Sequence, residues 1–335
     1  MSDHHIVLAE PQGYSPKALA TLRKIGRVYG WSDGMKVGIS KKTDVLVVKL
    51  GMRVSKGALD HFPNLKVVAT STTGLNHIDT SEAKRRGIRV ISLRGETKFL
   101  RNIAPTAEET IGLMIALMRN LPWAFEALKR GEWRRERFYG RELNGRILGI
   151  VGLGRLGSMV ARYGRAFGMR VIACDPHISA RAMARAGVRK VPMDEVFRRS
   201  DVVSVHVLLT PNTYHLVKRR HFRLMKPTTY YINTARGELN DEKALLAALR
   251  GKWIAGAALD VLTNENPQGS HIRKHPLVAY ARKHANLLIM PHLGGASFDA
   301  MARTEEFIAE KVASLLVKNR NNGARARGSN VKKTT

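Results

Sequence analysis

Short apolar runs alternate with amphipathic stretches along most of the chain. Strands are predicted where a short apolar run is bounded by turn-forming residues, and helices where apolar residues recur every three or four positions. The predicted strands are 6–9, 44–49, 65–70, 88–92, 147–151, 170–174, 202–207, 229–233, 254–259 and 286–290. The main predicted helices are 16–29, 80–86, 104–119, 242–250 and 298–316. This alternation predicts α/β domains with open sheets.

The segment 149–175 contains the most informative motif. An apolar run leads into Gly152-x-Gly154-x-x-Gly157, an amphipathic helix follows, and a second apolar run ends on Asp175. Gly152 allows a tight turn, Gly154 lets the backbone approach a pyrophosphate, and Gly157 lets the helix close on the sheet. Asp175 lies where a carboxylate can accept hydrogen bonds from both ribose hydroxyls, and it would repel a 2′-phosphate. The motif therefore predicts NAD in preference to NADP.

The chain is predicted to form two domains, with one inserted into the other. The fold class is α/β, with a Rossmann dinucleotide-binding domain over 104–293 inserted into a smaller flavodoxin-like α/β substrate domain, 1–103 plus 294–317. The helix 104–119 begins with a capping-type T-x-x-E pattern, Thr106 to Glu109. Residues 318–335 are rich in Gly, Asn and Arg without an apolar period, so this basic tail is predicted to be disordered.

Composition adds an unusual charge. The chain has 57 Lys and Arg residues against 27 acidic ones, a net charge of +30. A solvated basic surface is the simplest interpretation, with steering of anionic substrates and nucleic-acid binding as alternatives.

The single Cys174 excludes an intrachain disulfide and is predicted to be a buried apolar residue. Because no signal pattern and no membrane-length apolar run is found, we predict a cytoplasmic protein without a membrane partner, and no metal site.

Three later strands end in turns that each present one ionisable residue. These residues are Arg236, Glu265 and His292. Open α/β sheets bind ligands at the carboxyl ends of their strands. Arginine can hold a carboxylate through paired hydrogen bonds, histidine can transfer a proton near neutral pH, and a nearby carboxylate favours the protonated imidazole. This set suits the reduction of a 2-oxo acid.

Four motifs resemble those of the D-isomer-specific 2-hydroxyacid dehydrogenases, and the resemblance covers residues 5–317. They are GLGRLG at 152–157, NTARGELND at 233–241, DVLTNE at 260–265 and PHLGGAS at 291–297. The resemblance implies that Arg236 binds the substrate, that His292 donates and accepts the proton, and that Glu265 tunes the histidine. It also implies NAD-dependent hydride transfer between nicotinamide and a small D-2-hydroxy acid or 2-oxo acid.

The resemblance also implies contacts to cofactor and substrate. The candidate cofactor-binding residues are Gly152, Gly154, Arg155, Leu156, Gly157, Asp175, Pro176, His206, Thr213, Thr234, Ala235, Asp260, Gly294 and Gly295. Asp260 would contact the nicotinamide carboxamide. The candidate substrate-binding residues are Lys49, Thr72, Thr73, Gly74, Arg236 and His292. The basic arm 120–146 contains several aromatic residues, which favours packing against a partner subunit in a homodimer.

Two stretches depart from the family pattern. The family commonly reads H-x-P-x-T where this chain has HVLLT at 206–210, so the family pattern does not predict the conformation of the cofactor-facing turn. The stretch 92–105 is longer than the usual linker, and it either shapes substrate choice or forms a solvated loop. The fold also resembles NAD-binding transcriptional corepressors. An NAD-sensing regulatory or nucleic-acid-associated protein is therefore the alternative, although the set of Arg236, Glu265 and His292 favours the enzyme.

Overall fold

The computed structural model describes residues 4–266 and 269–330, and the chain divides into two compact units. The first unit comprises Met1–Ile103 with Phe298–Thr335, and the second unit is Ala104–Ser297. The second boundary lies at 298 rather than at the predicted 294. The reason is that the turn before it is bound to the second unit, where Thr106 Oγ1 donates a hydrogen bond of 2.7 Å to the carbonyl of Gly294.

The described residues form twelve strands and fifteen α-helices. The strands are β1 (His4–Leu8), β2 (Gly26–Gly30), β3 (Thr43–Val48), β4 (Val67–Thr70), β5 (Arg89–Ile91), β6 (Ile147–Val151), β7 (Arg170–Cys174), β8 (Arg189–Lys190), β9 (Val202–Val205), β10 (Tyr230–Asn233), β11 (Gly256–Leu259) and β12 (Leu287–Ile289). The helices are α1 (Pro16–Arg23), α2 (Trp31–Gly34), α3 (Val37–Ser40), α4 (Lys56–Asp60), α5 (Thr80–Arg85), α6 (Thr97–Leu100), α7 (Pro105–Met118), α8 (Leu121–Lys129), α9 (Arg155–Ala166), α10 (Ala180–Arg185), α11 (Met193–Arg199), α12 (Arg219–Leu224), α13 (Glu242–Arg250), α14 (Pro276–Ala281) and α15 (Phe298–Asn330). Three short 3₁₀ helices are Arg135–Phe138, Gly237–Leu239 and Ser270–Lys274.

The first unit contains a parallel five-stranded sheet in the order β2-β1-β3-β4-β5. This is the flavodoxin-like order, with β1 at the point where the order reverses. One core cluster combines α1 with residues of α15, among them Ile308 and Val312. A second cluster contains Leu59 and Phe62. The helix α15 thus completes a core that the first hundred residues begin.

The predicted helix 16–29 is wrong in its second half. The helix α1 ends at Arg23, and β2 follows as an edge strand parallel to β1. Gly26 explains the close pairing, since a Cβ there would lie 2.3 Å from the carbonyl oxygen of His4. The short sequence GRVYG gives no strong apolar alternation, so the strand is hard to separate from the helix before it.

Two other segments also differ from the expectation. Within 92–105, the helix α6 packs on α15, and the rings of Phe99 and Phe307 stack with their centres 4.0 Å apart. Part of this stretch is therefore packed on α15, whereas Arg94, Lys98 and Arg101 remain exposed to solvent. The helix α15 also continues to Asn330 through the tail that was predicted to be disordered, and residues 331–335 of this tail lie outside the described residues. This segment contains no proline, and its Arg and Ala residues favour a helix, whereas its Asn and Gly residues have low helix propensity.

The second unit contains a parallel seven-stranded sheet in the order β12-β11-β10-β9-β6-β7-β8. This is the Rossmann order, which confirms the predicted fold class, and it reverses between β9 and β6. The strand β8 has only two residues, both basic, which accounts for its absence from the apolar pattern. The loops after β6, β10, β11 and β12 share the carboxyl edge of this sheet, where ligands bind in such folds.

Among the described residues, no single helix is long and apolar enough to cross a bilayer. One pair of helices bent by 63°, Thr97–Met118 with Leu121–Lys129, together meets the length and composition requirement for a membrane span.

Cys174 is half-buried at the end of β7, and burial raises the pKa of its thiol to about 11. A thiol with so high a pKa is almost entirely protonated at neutral pH and reacts slowly.

Candidate active site

The glycine loop after β6 has the geometry that a bound pyrophosphate requires. Gly152 has a φ of +89°, and a Cβ there would lie 2.8 Å from the carbonyl oxygen of His206. At Gly157 a Cβ would lie 2.1 Å from the oxygen of Gly152, whereas a Cβ at Gly154 would meet nothing within 4 Å. The helix α9 begins directly after Gly154 without a capping side chain, so its N-terminus can accept an anion.

Asp175 joins the end of β7 to this loop. Its Oδ2 accepts a hydrogen bond of 2.9 Å from the backbone N–H of Leu153, and its Oδ1 accepts one of 2.8 Å from His177. Each carboxylate oxygen can accept a second hydrogen bond, so both ribose hydroxyls can still be bound. The open backbone at Gly154 and the fixed carboxylate therefore fit a dinucleotide with a free 2′-hydroxyl.

His292 and Glu265 lie together at the carboxyl edge of the same sheet. The Nδ1 of His292 is 2.5 Å from Oε2 of Glu265, and the other oxygen of Glu265 accepts a 2.7 Å hydrogen bond from the N–H of Leu262. The backbone of His292 has a φ of +57°, and its N–H donates to the carbonyl of Asp260 over 2.9 Å. Because Glu265 occupies Nδ1, the Nε2 atom is the one that can exchange a proton with a ligand.

The electrostatics of Glu265 favour its charged form. Burial raises its pKa, but the hydrogen bond and charge of His292, the N–H of Leu262 and the charge of Arg236 lower it. The lowering effects prevail, so the pKa of Glu265 lies below its usual value. A permanent carboxylate at this position stabilises the imidazolium that forms when His292 takes up a proton.

A pair of asparagines shapes the loop that carries Arg236. The side chain of Asn233 donates to the carbonyl of Arg236 over 2.8 Å and to the side chain of Asn240 over 2.7 Å, and its oxygen accepts from the N–H of Ala235. Burial lowers the pKa of Arg236, while Glu265, Glu238 and Asp260 oppose this change. The Arg236 guanidinium thus lies in the field of Glu265 and Asp260, the two carboxylates that also interact with His292.

Asp260 ties the end of β11 to the turn after β12. It is 1% exposed, and its two oxygens accept hydrogen bonds of 2.6 Å from the N–H of Leu293 and 2.8 Å from the N–H of Gly294. Gly294 is required here because a Cβ would lie 2.9 Å from an oxygen of Asp260, whereas Gly295 faces open space. Burial raises the pKa of Asp260.

These features agree with a family comparison. The family model for the NAD-binding domain of the D-isomer-specific 2-hydroxyacid dehydrogenases matches residues 111–294. The chain belongs to this family. Residues 111–294 are its NAD-binding domain, and the predicted cofactor NAD is confirmed at the level of the family.

Relatives within the family are called phosphoglycerate or lactate dehydrogenases. The chain is 38% identical over 277 residues to D-3-phosphoglycerate dehydrogenase of Methanocaldococcus jannaschii, covering 82% of this chain and 50% of the relative. It is 33% identical to that of Archaeoglobus fulgidus, covering 92% of this chain and 57% of the relative. The chain thus spans about half the length of the curated relatives it matches.

Solved structures show the same fold. D-lactate dehydrogenase from Aquifex aeolicus, in complex with NAD and lactic acid, matches with a TM-score of 0.79 and 26% identity, covering 94% of this chain and 96% of that chain. A putative D-3-phosphoglycerate dehydrogenase from Ralstonia solanacearum matches with the same TM-score and 27% identity, covering 94% of both chains. The alternative of a corepressor-like protein receives no support from these relatives.

The turn after His206 departs from the usual sequence of the 2-hydroxyacid dehydrogenases, and the structure shows what replaces the proline. The Thr213 hydroxyl accepts a 2.7 Å hydrogen bond from the N–H of Thr210 and donates one of 2.7 Å to the carbonyl of Leu208. His206 itself hydrogen bonds Ser204 over 2.8 Å, and burial lowers its pKa to about 4. Thr213 therefore closes this turn, and its contact to the cofactor stays a prediction.

The candidate substrate residues in the first unit are partly engaged with each other. The Thr72 hydroxyl donates to the carbonyl of Gly74 over 2.7 Å, which shapes the loop, and Thr73 is exposed. Lys49 Nζ lies 2.8 Å from Oε1 of Glu305, a side chain only 1% exposed. The charge of Lys49 is therefore balanced within the unit, and its contact with a substrate stays a prediction.

Some residues that shape the site were not predicted. Glu242 accepts hydrogen bonds from the N–H and the hydroxyl of Thr263 over 2.8 and 2.6 Å, which holds the loop before Glu265. The expected cap from Thr106 to Glu109 is not formed, because Thr106 donates to Gly294. The role of Glu242 had only a weak signal in the sequence, since an acidic residue in the first turn of a helix usually stabilises that helix.

Proposed function

We propose that this chain is an NAD-dependent D-2-hydroxyacid dehydrogenase that interconverts a small D-2-hydroxy acid and its 2-oxo acid. The contact that carries the proposal is that of His292 with Glu265 at 2.5 Å, at the sheet edge that also holds the glycine loop. The names of the relatives, phosphoglycerate and lactate dehydrogenases, support this substrate class.

Three residues of the second unit have different roles in the reduction. When bound, NADH supplies the hydride that adds to the carbonyl carbon of the 2-oxo acid. His292, held through Nδ1 by Glu265, delivers a proton from Nε2 to the carbonyl oxygen, which becomes the hydroxyl of the product. Arg236 binds the carboxylate and polarises the carbonyl through its planar guanidinium. Oxidation of the hydroxy acid reverses each of these steps.

The test is an assay of NADH oxidation with purified protein. Glyoxylate, pyruvate, hydroxypyruvate, 2-oxoglutarate and phosphohydroxypyruvate are supplied one at a time, with NADPH in a parallel series. We expect turnover with at least one of these acids and a preference for NADH, because Asp175 accepts ribose hydroxyls and repels a 2′-phosphate. Absence of turnover with every acid would contradict the proposed function, and equal use of NADPH would contradict the role of Asp175.

Replacing Glu265 by glutamine should shift the pH profile of 2-oxo acid reduction toward lower pH. Glu265 stays charged across the neutral range, because its pKa lies below its usual value and the carboxylate takes up a proton only at acidic pH. Without this charge the imidazolium form of His292 is less favoured, so activity is lost at a lower pH as the pH rises. The measurement is kcat/KM between pH 5 and 9.

The matched control is Glu238→Gln, which removes another carboxylate whose charge acts on Arg236 but which does not hydrogen bond His292. Its profile should coincide with that of the wild type. An unshifted profile in Glu265→Gln would mean that Glu265 only holds the loop through the N–H of Leu262.

We further propose that the chain forms a homodimer through the arm 120–146. Five large apolar side chains of this arm are exposed. They are Leu121 (48%), Phe125 (62%), Leu128 (50%), Trp133 (85%) and Tyr139 (70%). The first three lie at helical spacing on α8 and form an apolar stripe that a partner would cover. Sedimentation velocity should give a dimer for the wild type and a monomer for Phe125→Glu, and a monomeric wild type would contradict the interface.

A further inference from the structure

The helix α7 contacts three of the strand ends that form the candidate site. Thr106, Glu109 and Thr110 lie on one face of this helix, three and four residues apart. Thr106 donates to the carbonyl of Gly294, and the hydroxyls of Thr110 and Thr234 lie 2.8 Å apart. Glu109, between them, faces Asp260. The face therefore braces the loops after β10, β11 and β12 at once.

Glu109 and Asp260 place two carboxyl groups in one buried space. The position that a Cβ on Gly294 would occupy is 2.9 Å from Oδ2 of Asp260 and 3.0 Å from Oε2 of Glu109. Both oxygens of Glu109 are buried, and no donor among the described residues reaches either of them. Two adjacent buried carboxylates repel each other strongly, so the pair retains a proton near neutral pH.

The proton belongs on Glu109. Asp260 accepts two backbone hydrogen bonds, from Leu293 and Gly294, and such bonds stabilise a carboxylate in its charged form. Glu109 accepts none, and its O–H can donate to Asp260. Burial, the charge of Asp260 and a hydrogen bond with it raise the pKa of Glu109 to about 8.

We propose that Glu109 is a positioning residue that shares a proton with Asp260 and so holds the turn that presents His292. Its importance for catalysis rests on the proposed function. Asp260 binds this turn through its side chain at Leu293 and Gly294 and through its carbonyl at His292. A third hydrogen bond, from Glu109, fixes the orientation of Asp260. It also keeps a second charge out of the space beside a histidine that adopts a costly positive φ.

The other charged groups around the pair come from the same loops. His292 acts on Asp260 from the turn after β12, and Arg236 is attracted to Asp260 from the loop after β10. On the helices packed against α7, Lys129 of α8 is paired with Glu126, and Arg162 of α9 lies over the ring of Tyr163. The ionisation of Glu109 therefore depends mainly on Asp260 and on burial.

The first test uses the protein without cofactor or substrate. A carboxyl group with a raised pKa stabilises the fold below the pKa of the unfolded chain, and this stabilisation is lost as the pH rises through about 8. The midpoint temperature of thermal unfolding of the wild type should therefore decrease as the pH is raised from 6 to 9. It should fall less in Glu109→Gln, whose neutral amide still donates a hydrogen bond to Asp260.

The control is Glu108→Gln, because Glu108 is the exposed neighbour on the same helix. It should show the pH dependence of the wild type. Infrared difference spectra at pH 7 should contain the carbonyl stretch of a buried protonated carboxyl group in the wild type and in Glu108→Gln, and lack it in Glu109→Gln. An unchanged pH dependence together with an unchanged spectrum in Glu109→Gln would overturn the proposal.

The second test addresses the turn that carries His292. Glu109→Gln should keep kcat/KM within about threefold of the wild type at pH 7, whereas Glu109→Ala should lose about tenfold or more, because a hydrogen bond to a charged group is removed. Equal activity of Glu109→Ala and Glu109→Gln would refute the positioning role. If the wild type shows no turnover at all, the proposed function fails, while the unfolding and infrared results still decide whether the proton is shared.

Discussion

Replacing His292 by alanine should lower kcat for 2-oxo acid reduction by about two to four orders of magnitude, the usual contribution of a positioned acid or base. Histidine is the side chain that most often serves as acid or base in enzymes, and the Nδ1 of His292 is held 2.5 Å from Glu265. Binding of NADH should change little, because the glycine loop and Asp175 do not involve this side chain. Steady-state kinetics and fluorescence titration with NADH measure the two effects separately.

A second variant separates the chemistry from the backbone. Alanine is strained at the positive φ of residue 292, whereas asparagine tolerates this conformation but does not act as an acid or base near pH 7. His292→Asn should therefore be as inactive as His292→Ala, with an unfolding midpoint closer to that of the wild type. Substitution of the exposed His61 by alanine serves as the control. Near-normal turnover in His292→Asn would remove His292 from the reaction.

Replacing Arg236 by alanine should reduce kcat/KM by about 30-fold to 5,000-fold, since loss of one partner of a buried ion pair costs about 2–5 kcal/mol. The guanidinium is largely buried and its pKa is lowered by burial, so water cannot take its place at low cost. The loss should appear in both KM and kcat, because the residue binds the carboxylate and also polarises the carbonyl. Initial rates over a range of 2-oxo acid concentrations show this division.

Two controls define what Arg236 contributes. Arg236→Lys retains the charge but not the planar pair of donors, and it should recover only part of the lost activity. Arg250→Ala removes an exposed arginine at the end of α13 and should leave kcat/KM unchanged. If Arg236→Ala retained the KM of the wild type, the carboxylate would be bound elsewhere.

Much of the second unit could be predicted because its signals are local. The strand, glycine loop, helix and acidic residue of 147–175 follow one another directly, and each has a steric or electrostatic reason. The pairing of His292 with Glu265 was also expected, since both residues follow strands that lie side by side in a parallel sheet. Their assignment to substrate and proton remains a prediction that the variants above address.

The features that were not predicted depend on contacts between distant segments. The strand β2 is defined by its pairing with β1 rather than by its own apolar pattern. Glu109 resembles an ordinary helix-stabilising residue until the fold brings it to Asp260, 151 positions later in the chain. The turn at Thr213 likewise replaces a proline with side-chain hydrogen bonds that no local rule implies.

The discontinuity of the first unit has a consequence for biosynthesis. Its core requires Ile308, Val312 and Leu316, and the N–H of Ser15 donates a 2.6 Å hydrogen bond to Glu305, 290 positions away. Residues 104–297 intervene, and at ordinary rates of translation they take about 10 to 40 s to make. During that interval the inserted unit can fold as a continuous segment. The part of the first unit that is already synthesised exposes apolar surface to solvent until α15 is made. The residues of the first unit that precede 104–297 are thus among the last to reach their final packing.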